Sequence, residues 1–187
     1  MKLAELLAER KEAVLHGWLR EIVATYPAES ARFFLNLQDP FANPIGHIVW
    51  ESIAILFAEL VAGKPTERTL AALEQIIKIR AVQDLSPSQA LAIFFRLKAV
   101  LRQALAKELA GPDLLAELAE LEARIDDLGL AAFDIFMGCR ERIYDMKTRA
   151  ARREMHLLLR RAKLVTELPD QPTDEQDANI ISLHGAR

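Results

Sequence analysis

His47 and Glu51 are the two side chains whose types and spacing most directly suggest chemistry. Four residues apart on a helix, an imidazole and a carboxylate share one face, which supplies two metal ligands or a carboxylate-oriented imidazole. No second HxxxE or HxxxH accompanies them, and His16, His156 and His184 fall on other elements. The ligand set for a metal or haem is therefore incomplete, and a satisfied histidine of a helical core is the plainer reading. A second polar group, Arg80, Gln83, Asp84 and Gln89, surrounds the junction IRAVQDLSPSQ, with Arg80 and Asp84 spaced for an intrahelical ion pair. One reading makes this group the pin of an interhelical corner, because buried polar groups must be paired. The other makes it a small polar pocket between helices, with Asn43, His47, Glu51, Arg80, Gln83 and Gln89 as candidate lining, suited to an anion or a small metabolite. Cys139 beside Arg140 and Arg142 has the basic neighbours of an oxidant-sensing cysteine, but a lone helical cysteine more often packs as a small apolar residue. There is no glycine-rich phosphate loop, nucleophile elbow or HExxH motif, so the expectation is a non-enzyme with no metal and no cofactor.

Such residues need a scaffold, and the composition points to helices. Leucine and alanine dominate 187 residues, glycine numbers 7, and Val, Thr and Tyr are too few for a sheet. The expected fold class is all-α: a single helical bundle with a long C-terminal helix that continues into a coiled-coil-like segment and a disordered tail. A net charge of -3 supplies no global field for nucleic acid or an anionic membrane. A single cysteine excludes an internal disulfide and a zinc site of paired cysteines, which suits a reducing cytoplasm. MKLAELLAERKEAV places charges in its first turns and does not read as a signal peptide. IGHIVWESIAILFAELVAG has the length of a membrane span, but Glu51 and Glu59 would each cost roughly 2.5 to 3.5 kcal/mol near a bilayer centre, so a buried bundle helix is expected and no membrane insertion.

The first helix is predicted from about Leu3 to Ala24, on the stripe Leu3, Leu6, Leu7, Val14, Trp18 and Ile22, and Tyr26-Pro27 ends it. AESARFFLNLQ makes a short helix or turn. FANP then reads as a helix start, with Asn43 as N-cap and Pro44 at the first helical position. From Ile45 to Val61 apolar residues surround the cylinder, so that helix is central. Gly63 ends it, Thr66 caps the next, which runs to about Gln83, and Ser86-Pro87-x-Gln89 is a capping box opening a helix with Phe94, Leu97, Leu101 and Leu105 on one stripe, closed by GPD at 111–113.

Beyond Leu114 the seam Leu114, Leu118, Leu121, Ile125, Leu128, Ala132, Ile135, Cys139 steps by four and three. A second seam, Tyr144, Thr148, Ala151, Met155, Leu158, Ala162, Val165, keeps the same steps but is out of phase with the first near Gly138. The first seam belongs inside the bundle; the second is a candidate surface for another copy or another protein. Nine basic residues against three acidic ones lie between Arg140 and Lys163. This face lacks a nucleic-acid docking motif, and its apolar seam argues for helix pairing first. The expected organisation is a sensor-like bundle over 1–138, a basic amphipathic extension over 139–166 and an acidic disordered tail over 167–187.

FANPIGH, KIRAVQDLSPSQALAIFFRLKAVLRQAL and AFDIFMGCRERIYDMKTRAARR together resemble, in order and spacing, the N-terminal domain family of the RsbT co-antagonist protein RsbRD. The resemblance spans about Leu3 to Lys163, and IRAVQDLSPSQA is its most specific element. It implies a non-catalytic bacterial sensory or regulatory domain, related by role to stressosome input domains whose better-known relatives have a haem-free globin-like fold and dimerise. A full co-antagonist adds a C-terminal STAS domain. This sequence resembles the stand-alone members without one, some of them encoded beside a membrane-bound electron-transfer complex. The expectation is a cytoplasmic homodimer with a protein partner in signalling or in such an electron-transfer system, with a small-ligand- or haem-binding carrier as the alternative.

Overall fold

The computed structural model describes residues 2–27, 31, 34–35, 41–83, 85–109 and 111–162, and among these the regular elements are helices, with no strand. In chain order they are α1 (Leu3–Glu9), α2 (Lys11–Val23), α3 (Pro44–Ala62), α4 (Glu67–Ala81), α5 (Pro87–Ala104) and α6 (Pro112–Arg161). The chain divides into two compact units between Asp145 and Met146, and each is taken by itself. The expected segment at 28–38 lies almost wholly outside the described residues, as do Asp84, Val165 and the acidic stretch 167–187.

The expected single first helix is two. At the point where the apolar stripe would continue from Leu7 to Val14 stand Arg10 and Lys11, whose charged heads stay in water, and both are exposed. The backbone opens at Arg10 (φ −97°, ψ 5°), and its guanidinium turns out to Glu108 at 2.8 Å. Hydrogen bonding still passes through the opening, since Arg10 N–H donates to Leu6 O and Val14 N–H to Arg10 O, both at 3.0 Å. Leu3, Leu6 and Leu7 therefore stay in the same core as Val14, Leu15 and Trp18.

The central helix α3 begins where capping chemistry dictates. The Asn43 side chain accepts from Gly46 N–H at 2.9 Å and Pro44 occupies the first turn. Glycine at 46 is required by that cap: a Cβ there would lie 2.2 Å from the Asn43 amide nitrogen. The helix ends at Gly63, whose φ of 70° is the left-handed conformation that glycine adopts without penalty. This is the apolar segment of membrane-spanning length, and it packs against α4, α2 and α1 through Val49, Ile53, Leu56, Phe57 and Leu60, all in the core.

α4 starts with Thr66 accepting from Arg68 N–H at 3.2 Å. It ends at Ala81, two residues short of the expected Gln83, whose amide instead folds back onto Arg80 O in a tighter turn. α5 opens with the reciprocal Ser86/Gln89 box and carries Phe94, Leu97 and Leu101 into the core. It ends at Ala104 rather than at GPD, because the chain turns at Leu105 to keep that fully buried leucine inward, and Pro112 is the first residue of α6 rather than a stop.

Up to Asp145, α6 closes the bundle. The first seam is its inner face: Leu118, Leu121, Ile125, Leu128, Ala132 and Cys139 are buried, with Phe136 added, while Leu114 and Ile135 are half-buried. Pairing of Arg102 with Glu122 and of Lys98 with Asp126 runs α5 and α6 antiparallel. The Phe95 ring of α5 lies over Gly129, where a Cβ would stand 2.5 Å from the ring's far edge; Gly17 lets α2 approach α5, since a Cβ there would stand 2.7 Å from Val100.

Candidate functional site

Arg80 is the largest charged side chain in the core, 1% exposed, on the last turn of α4. Its Nε donates to Ala90 O at 2.7 Å and Nη2 to Gln89 O at 3.0 Å, both in the first turn of α5, and Nη1 donates to Thr25 Oγ1 at 3.2 Å. The guanidinium also lies over the Tyr26 ring, 5.8 Å from its centroid. Burial pulls the Arg80 pKa down, the Tyr26 phenol opposes this, and the group remains a cation at neutral pH. One fork thus ties the end of α2, the end of α4 and the start of α5 into a corner.

Tyr26 extends the corner to α3. Its hydroxyl accepts from Gln83 Nε2 at 3.0 Å, and its ring lies 4.5 Å from that of Phe34, whose carbonyl accepts from Asn43 Nδ2 at 3.1 Å. Asn43, Arg80 and Gln83 therefore meet through Tyr26 and Phe34. Gln89 joins by its backbone carbonyl only, because its side-chain oxygen accepts from Ser86 N–H at 3.0 Å in the cap of α5. Neither His47 nor Glu51 is among the partners of Arg80; His47 is half-buried and Glu51 exposed, one turn apart on α3. Among the described residues no three His, Cys, Asp or Glu side chains converge. The sequence contained no sign of Thr25, Tyr26 and Phe34 as partners, although Tyr26-Pro27 at a helix end was the available clue.

Arg140 of α6 links this corner to the second seam. Its Nη1 donates to Ala81 O, the residue after Arg80, at 3.3 Å, while Nη2 donates to the Tyr144 hydroxyl at 3.2 Å with the guanidinium over the Tyr144 ring at 5.3 Å. Cys139 is buried one residue earlier, with Arg142 Nη2 3.8 Å from its sulfur. α6 runs unbroken through Gly138, so the change of seam is a change of face along a continuous helix. From Met146 onward the described side chains are almost all exposed, Met155 at 59% and Leu158 at 54% among them, with Ala151 and Ala162 exposed on the same seam.

The family model for the RsbT co-antagonist protein RsbRD N-terminal domain matches residues 12–152, well over half of the chain. The chain belongs to this family. RsbRD N-terminal domains are signalling and regulatory domains of the stressosome kind, so regulation is the class of activity in which the Arg80 corner is to be read. No curated protein and no solved structure matches the chain. The two most specific segments of the RsbRD-like sequence have a local physical meaning: FANPIG is the Asn43 cap with room made by Gly46, and IRAVQDLSPSQA carries the Arg80 fork, its Gln89 and Ala90 acceptors and the Ser86 box.

Proposed function

We propose that this RsbRD N-terminal domain is a non-catalytic, cytoplasmic adaptor that dimerises and engages a protein partner through the seam Tyr144, Ala151, Met155, Leu158, Ala162 and Val165, and that the Arg80 corner governs that pairing. In this reading residues 1–138 are the sensing bundle and the extension over 139–166 is the output segment. The observation that carries it is Arg140, which holds the α4 terminus beside Arg80 with one nitrogen and Tyr144, the first seam residue, with another. A change in the corner that withdraws the Ala81 carbonyl releases Arg140 and with it Tyr144, which is the kind of small displacement that a packed helix pair converts into a change of partner.

The chemistry of the seam indicates its partner. Isolated helices with an exposed apolar stripe bury it against another helix, and a second copy offers the same stripe. Six basic side chains against Glu154 line residues 146–162, so a heterologous partner would present an apolar groove flanked by carboxylates, and its binding would weaken with added salt. The test is Arg140→Met in the full-length chain. Weakened self-association at unchanged helicity is the expected result; unchanged association removes the coupling, and a wild-type chain that is monomeric removes the dimer.

A further inference from the structure

Away from the Arg80 corner, the turn that joins α3 to α4 stands beside the middle of α6. Arg124 of α6 donates Nη1 to Leu60 O at 3.1 Å, and its guanidinium lies over Gly63, where a Cβ would come within 3.1 Å of it. A cation on the last carbonyls of α3 is favoured by the helix dipole, so Arg124 is held in a fixed place. Next to it opens a cavity of about 390 Å³. Buried Leu60, Leu73 and Leu128 form its apolar interior, with half-exposed Leu70 at 53% on its wall.

Four charges reach this otherwise aliphatic space: Arg124, Lys64, Glu59 and Asp127. Glu59 is fixed in part by Thr69, whose hydroxyl donates to it at 3.3 Å. Among the described residues Lys64 and Asp127 have no hydrogen-bond or ion-pair partner, whereas Arg124 pairs with Glu120 at 3.7 Å, so one cation and one anion are available at the cavity. Protein interiors are close-packed, and a hollow of this size with an aliphatic body and a few convergent polar groups has the volume and composition of a small-molecule site.

We propose that this cavity binds a zwitterionic small molecule with an apolar body, of the class of the apolar α-amino acids. Arg124 is ion-paired with Glu120 and Glu59 is held by Thr69, so Lys64 and Asp127 are the two charges that select the ligand type. A lone carboxylate would answer Lys64 and meet the repulsion of Asp127; a lone amine would meet the opposite. A zwitterion answers both signs while its side chain replaces water on the leucines, and unpaired or like-charged groups are what such a site uses to reject the alternatives. The cavity lies within the first unit and does not depend on the dimer.

The experiment is calorimetric titration of the full-length chain with leucine and phenylalanine, beside isocaproate and isoamylamine, which each keep one of leucine's two charges. Saturable binding of an amino acid is expected, with the single-charge analogues weaker by at least about tenfold, the loss of one charged contact. Lys64→Gln and Asp127→Asn, both at exposed positions, are expected to weaken it by about the same factor without altering thermal unfolding. Leu70→Trp, which fills the cavity from an exposed position, is expected to abolish it. Absence of saturable binding by either amino acid overturns the proposal, as does equal binding of isocaproate or isoamylamine, or binding that all three variants leave unchanged.

Discussion

Replacing Arg80 separates what a buried guanidinium contributes by filling space from what it contributes by hydrogen bonding. Its three acceptors are not orphaned when it leaves: the Gln89 and Ala90 carbonyls lie within α5, where helical N–H donors reach them, and Thr25 Oγ1 still donates to Ile22 O at 2.6 Å. The three charge-assisted bonds contribute about 1.5–3 kcal/mol each relative to bonds with water, while burying the guanidinium charge with no carboxylate partner costs several kcal/mol. These largely cancel, so Arg80→Met, which keeps the chain length and drops the charge, is expected to cost only about 1–2 kcal/mol. Arg80→Ala adds a cavity at a position 1% exposed and is expected to cost about 3–5 kcal/mol. Arg80→Lys falls between them, because it keeps the desolvated charge but replaces a fork by a point donor. Urea unfolding followed by far-ultraviolet circular dichroism reads all three, at constant slope. Equal losses for Met and Ala would mean that the bonds and not the filled volume hold the corner, contrary to this expectation.

Asn43→Ala removes a buried cap and its bond to Phe34, and is expected to lower stability by about 1–2 kcal/mol in the same assay. Gly129→Ala and Gly17→Ala differ in what their new methyl meets. Phe95 is 42% exposed and swings out, so Gly129→Ala is expected to be neutral or stabilising by up to about 1 kcal/mol through helix propensity. The half-buried Val100 yields less, and Gly17→Ala is expected to cost about 1–2 kcal/mol.

Local chemistry was legible in the sequence and remote chemistry was not. The Asn43 and Ser86 caps, Gly63 as a helix end and the inner seam of α6 follow from spacing alone, because each is decided within a few residues. The opening at Arg10 was missed because the stripe resumes in phase four residues later, so periodicity alone does not register it. The Arg80 residue was singled out, but its acceptors are mostly backbone carbonyls, which no side-chain pattern announces. The grouping of His47 and Glu51 with Arg80 rested on their shared polarity, and the fold gives Arg80 other partners. The cavity beside Arg124 joins residues 59–73 to residues 124–131, a proximity that only the tertiary packing of α6 creates.

The proposed function requires the second seam to pair. Sedimentation equilibrium of the full-length chain beside a Met155→Glu, Leu158→Glu variant tests it most directly, since both positions are exposed and the bundle does not use them. A wild-type mass twice the 21.0 kDa chain, falling to the monomer in the variant with helicity and unfolding unchanged, is the predicted result. A monomeric wild type, or a dimer that survives both glutamates, would contradict it.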